Sequence, residues 1–429
     1  MYDKVIRNGK VFIAGDFVKT NVYIEKEVIA KITPEILPAK ESIDVNNALV
    51  IPALIDPHVH FHLDLGSIHS RDDFYSGTLQ AVYGGITTVI DFLDPVDNPI
   101  DLEKAYYRRL EEAKTSVCDY SFHATIKNPN CDLEEFVIKM KSLGINSLKL
   151  FTTYSDSNRR TYDNQIIELL KLSSKYDFLL LAHIENDTLI DLNPNFKYNC
   201  LLKSRPTLAE TKEALKLAAF TEINGGYLYM VHLSSGVTLE KLKKDFPNLI
   251  NKRFFIESCP HYFAFTNDFL EREDGYLYTL APPLRTRRER TLLKENFNDV
   301  FSIGTDHCAF NKKDKDKKYL KDIPLGIGGI ENSFDVLYEF FKEKAIDKMS
   351  KNIASLYPNL AGRGEIKEGN LANLFVYELY DNFISKNHGK TDCFLYDNFK
   401  RSGETVHTMN RGEFIIKNHE FIKPVSKKV

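Results

Sequence analysis

The fold class is decided by one stretch of sequence, Ala48-Leu49-Val50-Ile51-Pro52-Ala53-Leu54-Ile55-Asp56-Pro57 followed by His58-Val59-His60. Its apolar run predicts a strand of a parallel sheet that is buried on both faces. The two histidines stand at alternate positions, so they project to the same side of the strand and can share one metal ion. Parallel α/β folds collect their catalytic groups at the carboxyl ends of strands, and this segment therefore predicts a functional site at its end.

The composition is that of an ordinary globular protein. The chain has 429 residues, of which 43% are hydrophobic and 27% charged, enough for a barrel-sized domain and a smaller one. A net charge of −3 gives no field that would attract nucleic acid or an anionic membrane. The six cysteines show no CxxC spacing, and we find neither a signal peptide nor an apolar stretch that could span a bilayer. We therefore expect a cytoplasmic protein without nucleic-acid or membrane partners.

Both ends of the chain show short strand-like runs separated by turns. Asn8-Gly9, between the runs at 4–7 and 10–13, is typical of a hairpin turn. Similar runs return near the C-terminus, for example at 413–416. We therefore predict one small β-sandwich domain built from residues 1–50 and 366–429.

Residues 51–365 have a different rhythm, in which apolar β-branched runs alternate with longer helical patterns, as in βα units. The predicted strands lie at 50–60, 87–92, 120–126, 147–153, 178–185, 227–234, 253–258 and 300–306. The predicted helices lie at 101–113, 133–143, 163–175, 207–223, 239–244 and 287–297. Eight strands are the number that closes a (β/α)8 barrel of the TIM type, which is our prediction for the fold. A doubly wound open sheet is the alternative.

Five of the eight predicted strands end in polar residues able to bind or bridge a metal ion. These residues are His58, His60, Lys149, His183, His232 and Asp306. A single strand histidine is more often a hydrogen-bonded core residue. However, independent core histidines have no reason to fall at the same end of successive strands. The set therefore predicts a metal site at the mouth of the barrel.

Lys149 is unusual in this set, because an ammonium group repels metal ions. One interpretation is a snorkelling or salt-bridged lysine. The other uses its apolar neighbours Leu148, Leu150 and Phe151, which would lower its pKa and populate the neutral amine. A neutral amine can take up carbon dioxide to give a carbamate with two metal-binding oxygens. Spacing alone leaves both interpretations open.

The chain resembles the cyclic amidohydrolases of the amidohydrolase superfamily, and most closely the dihydropyrimidinase and hydantoinase group. The likeness runs nearly end to end. The motifs include Ile55-Asp56-Pro57-His58-Val59-His60, Lys149-Leu150-Phe151-Thr152-Thr153-Tyr154, His183-Ile184-Glu185-Asn186, His232-Leu233-Ser234-Ser235, Cys259-Pro260-His261-Tyr262 and Gly304-Thr305-Asp306-His307-Cys308. Each motif is modest alone, but their order and spacing are highly specific.

The resemblance implies a pair of divalent metal ions, most simply Zn²⁺, and hydrolysis of the cyclic amide bond of a dihydropyrimidine or 5-substituted hydantoin to an N-carbamoyl amino acid. It implies that His58, His60 and Asp306 hold one ion and that His183 and His232 hold the other. It further implies that Lys149 bridges both as a carbamate, that is, as N6-carboxylysine. By the same resemblance Asp306 carries the catalytic proton, Tyr154 stabilises the oxyanion, and the protein is a homotetramer.

Two other activities on the same kind of site are dihydroorotase and allantoinase. Dihydroorotases carry an arginine and an asparagine that grip the substrate carboxylate, where this chain has His62 and the block Asp91-Phe92-Leu93-Asp94. The absence of these anchors disfavours an anionic ring as substrate. Allantoinase stays an alternative, although Tyr154 and the Asp91-Phe92 block favour hydantoinase.

The residues predicted to bind substrate are Tyr154, Ala281 and Leu325. Ala281 and Leu325 replace a serine and an asparagine that dihydropyrimidinases often carry, so the natural substrate stays open. Contacts at these positions are implied to use mainly backbone groups. Some relatives are non-catalytic assembly proteins that have lost metal ligands. All six ligand positions persist here, which favours an enzyme over that alternative.

Overall fold

Two β-sheets organise the protein in a computed structural model that describes residues 1–385 and 387–429. The strands are β1 (Tyr2–Ile13), β2 (Asp16–Glu25), β3 (Val28–Thr33), β4 (Ala39–Asp44), β5 (Leu49–Pro52), β6 (Leu54–Val59), β7 (Ile86–Phe92), β8 (Asp119–Thr125), β9 (Ser147–Phe151), β10 (Leu179–His183), β11 (Leu228–Met230), β12 (Phe254–Ser258), β13 (Ser302–Ile303), β14 (Leu374–Phe383), β15 (Lys400–Asn410), β16 (Glu413–Lys417) and β17 (Glu420–Phe421).

The helices surround the second of these sheets or connect the two. They are α1 (Phe74–Tyr83), α2 (Pro99–Glu112), α3 (Leu133–Ser142), α4 (Asp163–Tyr176), α5 (Leu201–Ser204), α6 (Thr207–Asn224), α7 (Gly236–Asp245), α8 (Pro260–Ala264), α9 (Arg287–Glu295), α10 (Lys312–Lys315), α11 (Ser333–Phe341), α12 (Lys344–Lys348) and α13 (Lys351–Leu356). All six predicted helices are present. In the part of the chain that the structure describes, no helix is both long and apolar enough to cross a membrane.

The first sheet is mixed and draws its strands from both ends of the chain. Its order is β17-β16-β15-β14-β5-β1-β2-β3, with β4 paired in parallel to β1. Strand β5 joins the two ends, because it pairs with β1 on one side and with β14 on the other. Val11, Val22, Val50, Val376 and Phe414 are among the side chains buried in its core.

The hairpin turn predicted at Asn8-Gly9 is wrong. Strand β1 continues through these residues, and its register with β2 shifts between Ile6 and Gly9, which marks a β-bulge. Asn8 adopts a φ of 57°, a left-handed conformation that suits asparagine in a bulge as well as in a turn. The chain reverses instead at Ala14-Gly15, where both residues have positive φ and the flanking strands pair directly.

The second sheet contains eight parallel strands in sequential order from β6 to β13. The first and last strands meet through a parallel bridge between Val59 and His307, and the His60 N–H donates to the His307 carbonyl at 2.9 Å. This contact closes the barrel. The predicted (β/α)8 barrel with a second domain of β-structure is therefore confirmed, and the doubly wound alternative is wrong.

The predicted strand at 50–60 is two strands. Residues Leu49–Pro52 form β5 of the mixed sheet, and Leu54–Val59 form β6 of the barrel. Ala53 lies between these two strands, and its N–H donates to the carbonyl of Asn373, the residue before β14. Both halves are buried on both faces, so the apolar pattern continues across the junction. The pattern therefore could not reveal the change of sheet.

Candidate active site

The carboxyl ends of the barrel strands open into a cavity of about 400 Å³. Its walls include eight of the nine residues predicted for the site: His60, Lys149, Tyr154, His183, His232, Ala281, Asp306 and Leu325. The ninth, His58, is fully buried near the end of β6 and contacts the Asp306 carboxylate from the core. The structure thus brings residues from separate parts of the sequence to one mouth of the barrel.

His58, His60 and Asp306 form the first cluster. The Nε2 atoms of both histidines lie 3.1 Å from Oδ1 of Asp306, and one ligand atom from each residue lies within 4.8 Å of the others. The alternation of β6 directs both imidazoles to the same side. Asp306 follows β13 and has a φ of 51°, a left-handed conformation that is uncommon for a residue with a side chain. Such backbone strain often occurs at functional sites.

His183 and His232 form a second cluster beside the first. His183 is the last residue of β10, and His232 follows β11 with a φ of 42°. Nδ1 of His183 lies 3.0 Å from Nε2 of His232, and the ring centres of His58 and His232 are 5.4 Å apart. The two clusters therefore face each other across a short distance.

Lys149 lies on β9 within the same cavity and is only 3% exposed. Its Nζ is 4.9 Å from the centre of the Phe92 ring and 5.6 Å from that of Phe151. It forms no ion pair with a carboxylate of the described residues, and its low exposure is unlike that of a snorkelling lysine. Burial lowers the pKa of Lys149 to about 8. A substantial fraction of the amine is then neutral near pH 8 and able to react with carbon dioxide.

The histidines differ in their electrostatic environment. Burial acts to lower the pKa of His58, but the charges of Glu257 and Asp306 outweigh it and raise the value to about 9. Burial lowers the pKa of His60 to about 4 and also lowers the pKa of His183. Asp306 has a pKa well below its usual range, because the neighbouring histidines outweigh the opposing effect of burial. Asp306 is thus ionised, and the carboxylates of Glu257 and Asp306 stabilise a positive charge at His58, which is a proton in the metal-free protein and which a bound cation would replace.

Glu257 was not predicted from the sequence, although it contacts both clusters. It is fully buried on β12, and its Oε1 lies 2.7 Å from Nδ1 of His58 and accepts the backbone N–H of His232 at 3.0 Å. The Tyr229 hydroxyl donates to its Oε2 at 2.7 Å. The signal in the sequence was an acidic residue inside the apolar run Phe254–Ser258, where only a paired carboxylate is tolerated.

Arg205 was also missed, because it lies in a loop between α5 and α6. It forms an ion pair with Glu185, whose Oε2 lies 2.7 Å from Nε2 of His183. Its guanidinium carbon is 4.9 Å from the centre of the Tyr154 ring. Burial acts to raise the pKa of Glu185, but Arg205 and His183 lower it to about 2. Glu185 thus orients His183, and Arg205 connects Glu185 to the ring of the neighbouring Tyr154.

Four other residues considered in the sequence do not line the cavity. His307 lies 3.0 Å from Asp72 and accepts two backbone N–H groups through Nδ1. His261 is buried beside Tyr262. His62 stacks on His69 with ring centres 4.7 Å apart. Asp94 pairs with Arg108 and Arg109.

The chemistry of the clustered side chains fits divalent metal ions. The facing ring nitrogens approach one another or a carboxylate: Nε2 of His58 and of His60 lie beside Oδ1 of Asp306, and Nδ1 of His183 lies beside Nε2 of His232. Two nitrogens on one tetrahedral zinc ion, at about 2.0–2.1 Å from it, lie about 3.3 Å apart. The 3.0 Å between the facing nitrogens of His183 and His232 is close to that separation. Imidazole and carboxylate ligands together suit zinc and related ions.

Comparison with known proteins identifies the family. The sequence profile described as "Amidohydrolase family" matches residues 49–415, most of the chain. The chain belongs to the amidohydrolase family. This amidohydrolase is 29% identical to a D-phenylhydantoinase of Escherichia coli over 440 aligned positions, which cover 96% of this chain and 94% of that protein.

Solved structures give the same result. A D-hydantoinase superposes with a TM-score of 0.93 at 28% identity and covers 99% of this chain and 98% of its own. A D-hydantoinase (dihydropyrimidinase) from Thermus sp. superposes with the same TM-score at 27% identity and the same coverage. The predicted resemblance to the hydantoinase and dihydropyrimidinase group is confirmed, and so is the prediction of a cyclic amidohydrolase enzyme rather than an assembly protein.

Proposed function

We propose that the protein hydrolyses the cyclic amide bond of a 5-substituted hydantoin or a dihydropyrimidine and releases an N-carbamoyl amino acid. The observation that supports this most strongly is the convergence of His58, His60, His183, His232 and Asp306 beside a buried, unpaired lysine in one cavity. Relatives called D-phenylhydantoinase and D-hydantoinase, similar over nearly the whole chain, support the same substrate class.

Two divalent ions, most simply Zn²⁺, are proposed to be held at this site. His58, His60 and Asp306 would hold one, His183 and His232 the other, and Lys149 would contribute to both as a carbamate. Bound there, the ions would supply a water of lowered pKa and polarise the substrate carbonyl. The depressed pKa of Lys149, about 8, supports the carbamate, because only the neutral amine takes up carbon dioxide.

Asp306 is proposed to move the proton during hydrolysis. Its pKa lies well below the usual range, so the group is ionised and can accept the proton of the attacking water. As the water oxygen bonds to the carbonyl carbon and the carbon–nitrogen bond breaks, Asp306 passes this proton to the leaving ring nitrogen. One carboxylate on the cavity wall can serve both steps, because the two transfers occur on the same face of the substrate.

Tyr154 is proposed to stabilise the negative charge that develops on the carbonyl oxygen. It lines the cavity, and its ring centre is 5.1 Å from that of His183. Burial raises the pKa of Tyr154, so the phenol keeps its proton and can donate a hydrogen bond. Its φ of 70° places it in a tight turn directly after β9. Ala281 and Leu325 are proposed to contact the substrate ring from the opposite loops.

The test is a parallel assay of the purified protein on hydantoin, 5-phenylhydantoin, dihydrouracil, allantoin and dihydroorotate, with metal analysis of the same sample. We expect about two metal ions per chain and turnover of the hydantoins or dihydrouracil. Asp306→Asn should abolish turnover, whereas Asp335→Asn, which changes a buried carboxylate on α11 outside the cavity, should retain it. Preference for dihydroorotate or allantoin, or full activity of Asp306→Asn, would refute the proposal.

A further inference from the structure

The cavity wall carries several charged side chains, and the proposed hydrolysis uses only some of them. Lys149, Arg159 and Lys321 are the cationic side chains that line it, and Asp306 and Asp322 are the acidic ones. Lys149 and Asp306 belong to the proposed metal site. This leaves the remaining three charged residues at the outer part of the wall, where no role in the hydrolysis has been assigned to them.

Arg159 is a half-buried arginine whose guanidinium forms no hydrogen bond or ion pair with any residue that the structure describes. Its neighbours behave differently. Arg160 pairs with Asp187 at 3.2 Å, and Arg205 pairs with Glu185. None of the Arg159 nitrogens is a buried atom without a partner, so water can solvate the guanidinium, and an anionic ligand can replace that water.

A backbone hydrogen bond holds Arg159 beside Tyr154, the residue proposed to stabilise the oxyanion. The turn after β9 is closed by a hydrogen bond from the Arg159 N–H to the Tyr154 carbonyl at 3.0 Å, and Asn158 before it has a φ of 56°. Burial raises the pKa of Tyr154, and the charges of Arg205 and Arg159 oppose that rise. The positive charge of Arg159 therefore acts within the cavity, close to the proposed oxyanion-binding tyrosine.

Much of the remaining cavity wall is apolar. Leu65 and Ile68 line it from the loop after β6, Phe151 from β9, and Ile323 from the loop after β13. An alkyl chain fits such a wall, and its burial is favourable. Lys321 also lines the cavity but is exposed, so solvent screens its charge more strongly than that of the half-buried Arg159. Arg159 is thus the cation best placed to bind an anion at the end of the chain.

We propose that Arg159 binds a carboxylate at the end of the C5 substituent, so that the preferred substrates are hydantoins or dihydropyrimidines with a short acidic side arm. This rests on the proposed function and narrows its substrate class. It differs from recognition of an anionic ring, because His62 does not line the cavity and the block 91–94, in the place of the dihydroorotase asparagine, contributes only the apolar Phe92 and Leu93 to its wall. A guanidinium binds a carboxylate through two parallel hydrogen bonds, which a neutral amide cannot reproduce.

The test compares pairs of substrates that differ only in charge. Hydantoins with a C5 arm of one to three methylene groups are prepared with a terminal carboxylate or with the isosteric primary amide. For the favoured arm length we expect the wild type to prefer the acid in kcat/KM, and Arg159→Gln to reduce the ratio of acid to amide about tenfold. Arg160→Gln, whose side chain does not line the cavity, should leave this ratio unchanged.

The possible results separate this inference from the proposed function. If the wild type hydrolyses 5-phenylhydantoin but shows no preference for any acid, or if Arg159→Gln leaves the ratio unchanged, the role of Arg159 is refuted while the proposed function stands. An equal loss with acid and amide would indicate a purely structural arginine and would also refute it. If no hydantoin is hydrolysed, equilibrium binding of the acid and amide to wild type and Arg159→Gln tests the recognition by itself.

Discussion

Glu257 gives the sharpest test of how the proposed metal site is supported. Its carboxylate contacts Nδ1 of His58 at 2.7 Å, the N–H of His232 at 3.0 Å and the Tyr229 hydroxyl at 2.7 Å. Glu257→Gln keeps the size of the side chain but removes its charge and one acceptor oxygen. It should therefore leave the fold intact and weaken the orientation of two proposed metal ligands from opposite clusters.

The expected magnitude follows from the hydrogen bonds lost. A hydrogen bond to a charged group contributes about 1.5–3 kcal/mol, and loss of a partner that orients a ligand typically costs 10- to 100-fold in metal affinity. Because an amide oxygen in the place of Oε1 can still accept from both His58 and His232, we expect the lower half of this range, about 10- to 30-fold. At about 1.4 kcal/mol per factor of ten, this corresponds to about 1.4–2 kcal/mol.

The assay is competition of the zinc-loaded protein with a chelator of known affinity, together with kcat/KM on 5-phenylhydantoin. Glu331→Gln is the matched control, because Glu331 also binds an imidazole, that of His388 at 2.9 Å, but does not line the cavity. Zinc affinity of Glu257→Gln equal to that of the wild type would refute the reasoning. So would an equal loss in Glu331→Gln, since the effect would then not depend on contact with the proposed ligands.

Two further predictions concern buried polar groups near the site. The pKa of Asp72 is about 2, because hydrogen bonds from His307 and the Lys390 N–H outweigh the burial that acts to raise it. Asp72→Asn should therefore cost about 2 kcal/mol of unfolding free energy above pH 4. This cost should shrink as the pH falls from 4 towards 2, and denaturant titrations at pH 7 and pH 3 that give the same difference would contradict it. Lys315 is buried and donates to the carbonyls of Thr279 at 2.7 Å and Gly326 at 2.6 Å, on the two loops that carry Ala281 and Leu325. Lys315→Met should raise KM for hydantoins several-fold with unchanged metal content; a loss confined to kcat would exclude a role in holding the two loops.

The barrel could be predicted because its strands are local patterns. Each predicted strand from 87–92 onward overlaps an observed one, since a strand buried on both faces needs a continuous β-branched or apolar run whatever its neighbours are. The proposed ligands could be found for the same reason, because each follows such a run directly. His183, for example, ends β10.

The features that could not be predicted depend on contacts between distant residues. The junction at Ala53 is invisible in the sequence because β5 and β6 are equally buried, although they belong to different sheets. Asn8-Gly9 forms a bulge rather than a turn, since the pairing of β1 with β2 continues past it. Glu257 and Arg205 lie far from their partners in sequence, and nothing local indicates which side chains they contact.

The direct connection of β5 in the mixed sheet to β6 in the barrel has a consequence for truncated forms of the protein. Four residues of this continuous segment complete the hydrogen bonding between N- and C-terminal strands, and His58 follows only six residues after Pro52. A truncation that removed β14 would remove a pairing partner of β5. It would thereby disturb the segment that leads into β6, which carries His58. We therefore expect that disruption of the terminal strands also weakens binding of the proposed metal ions.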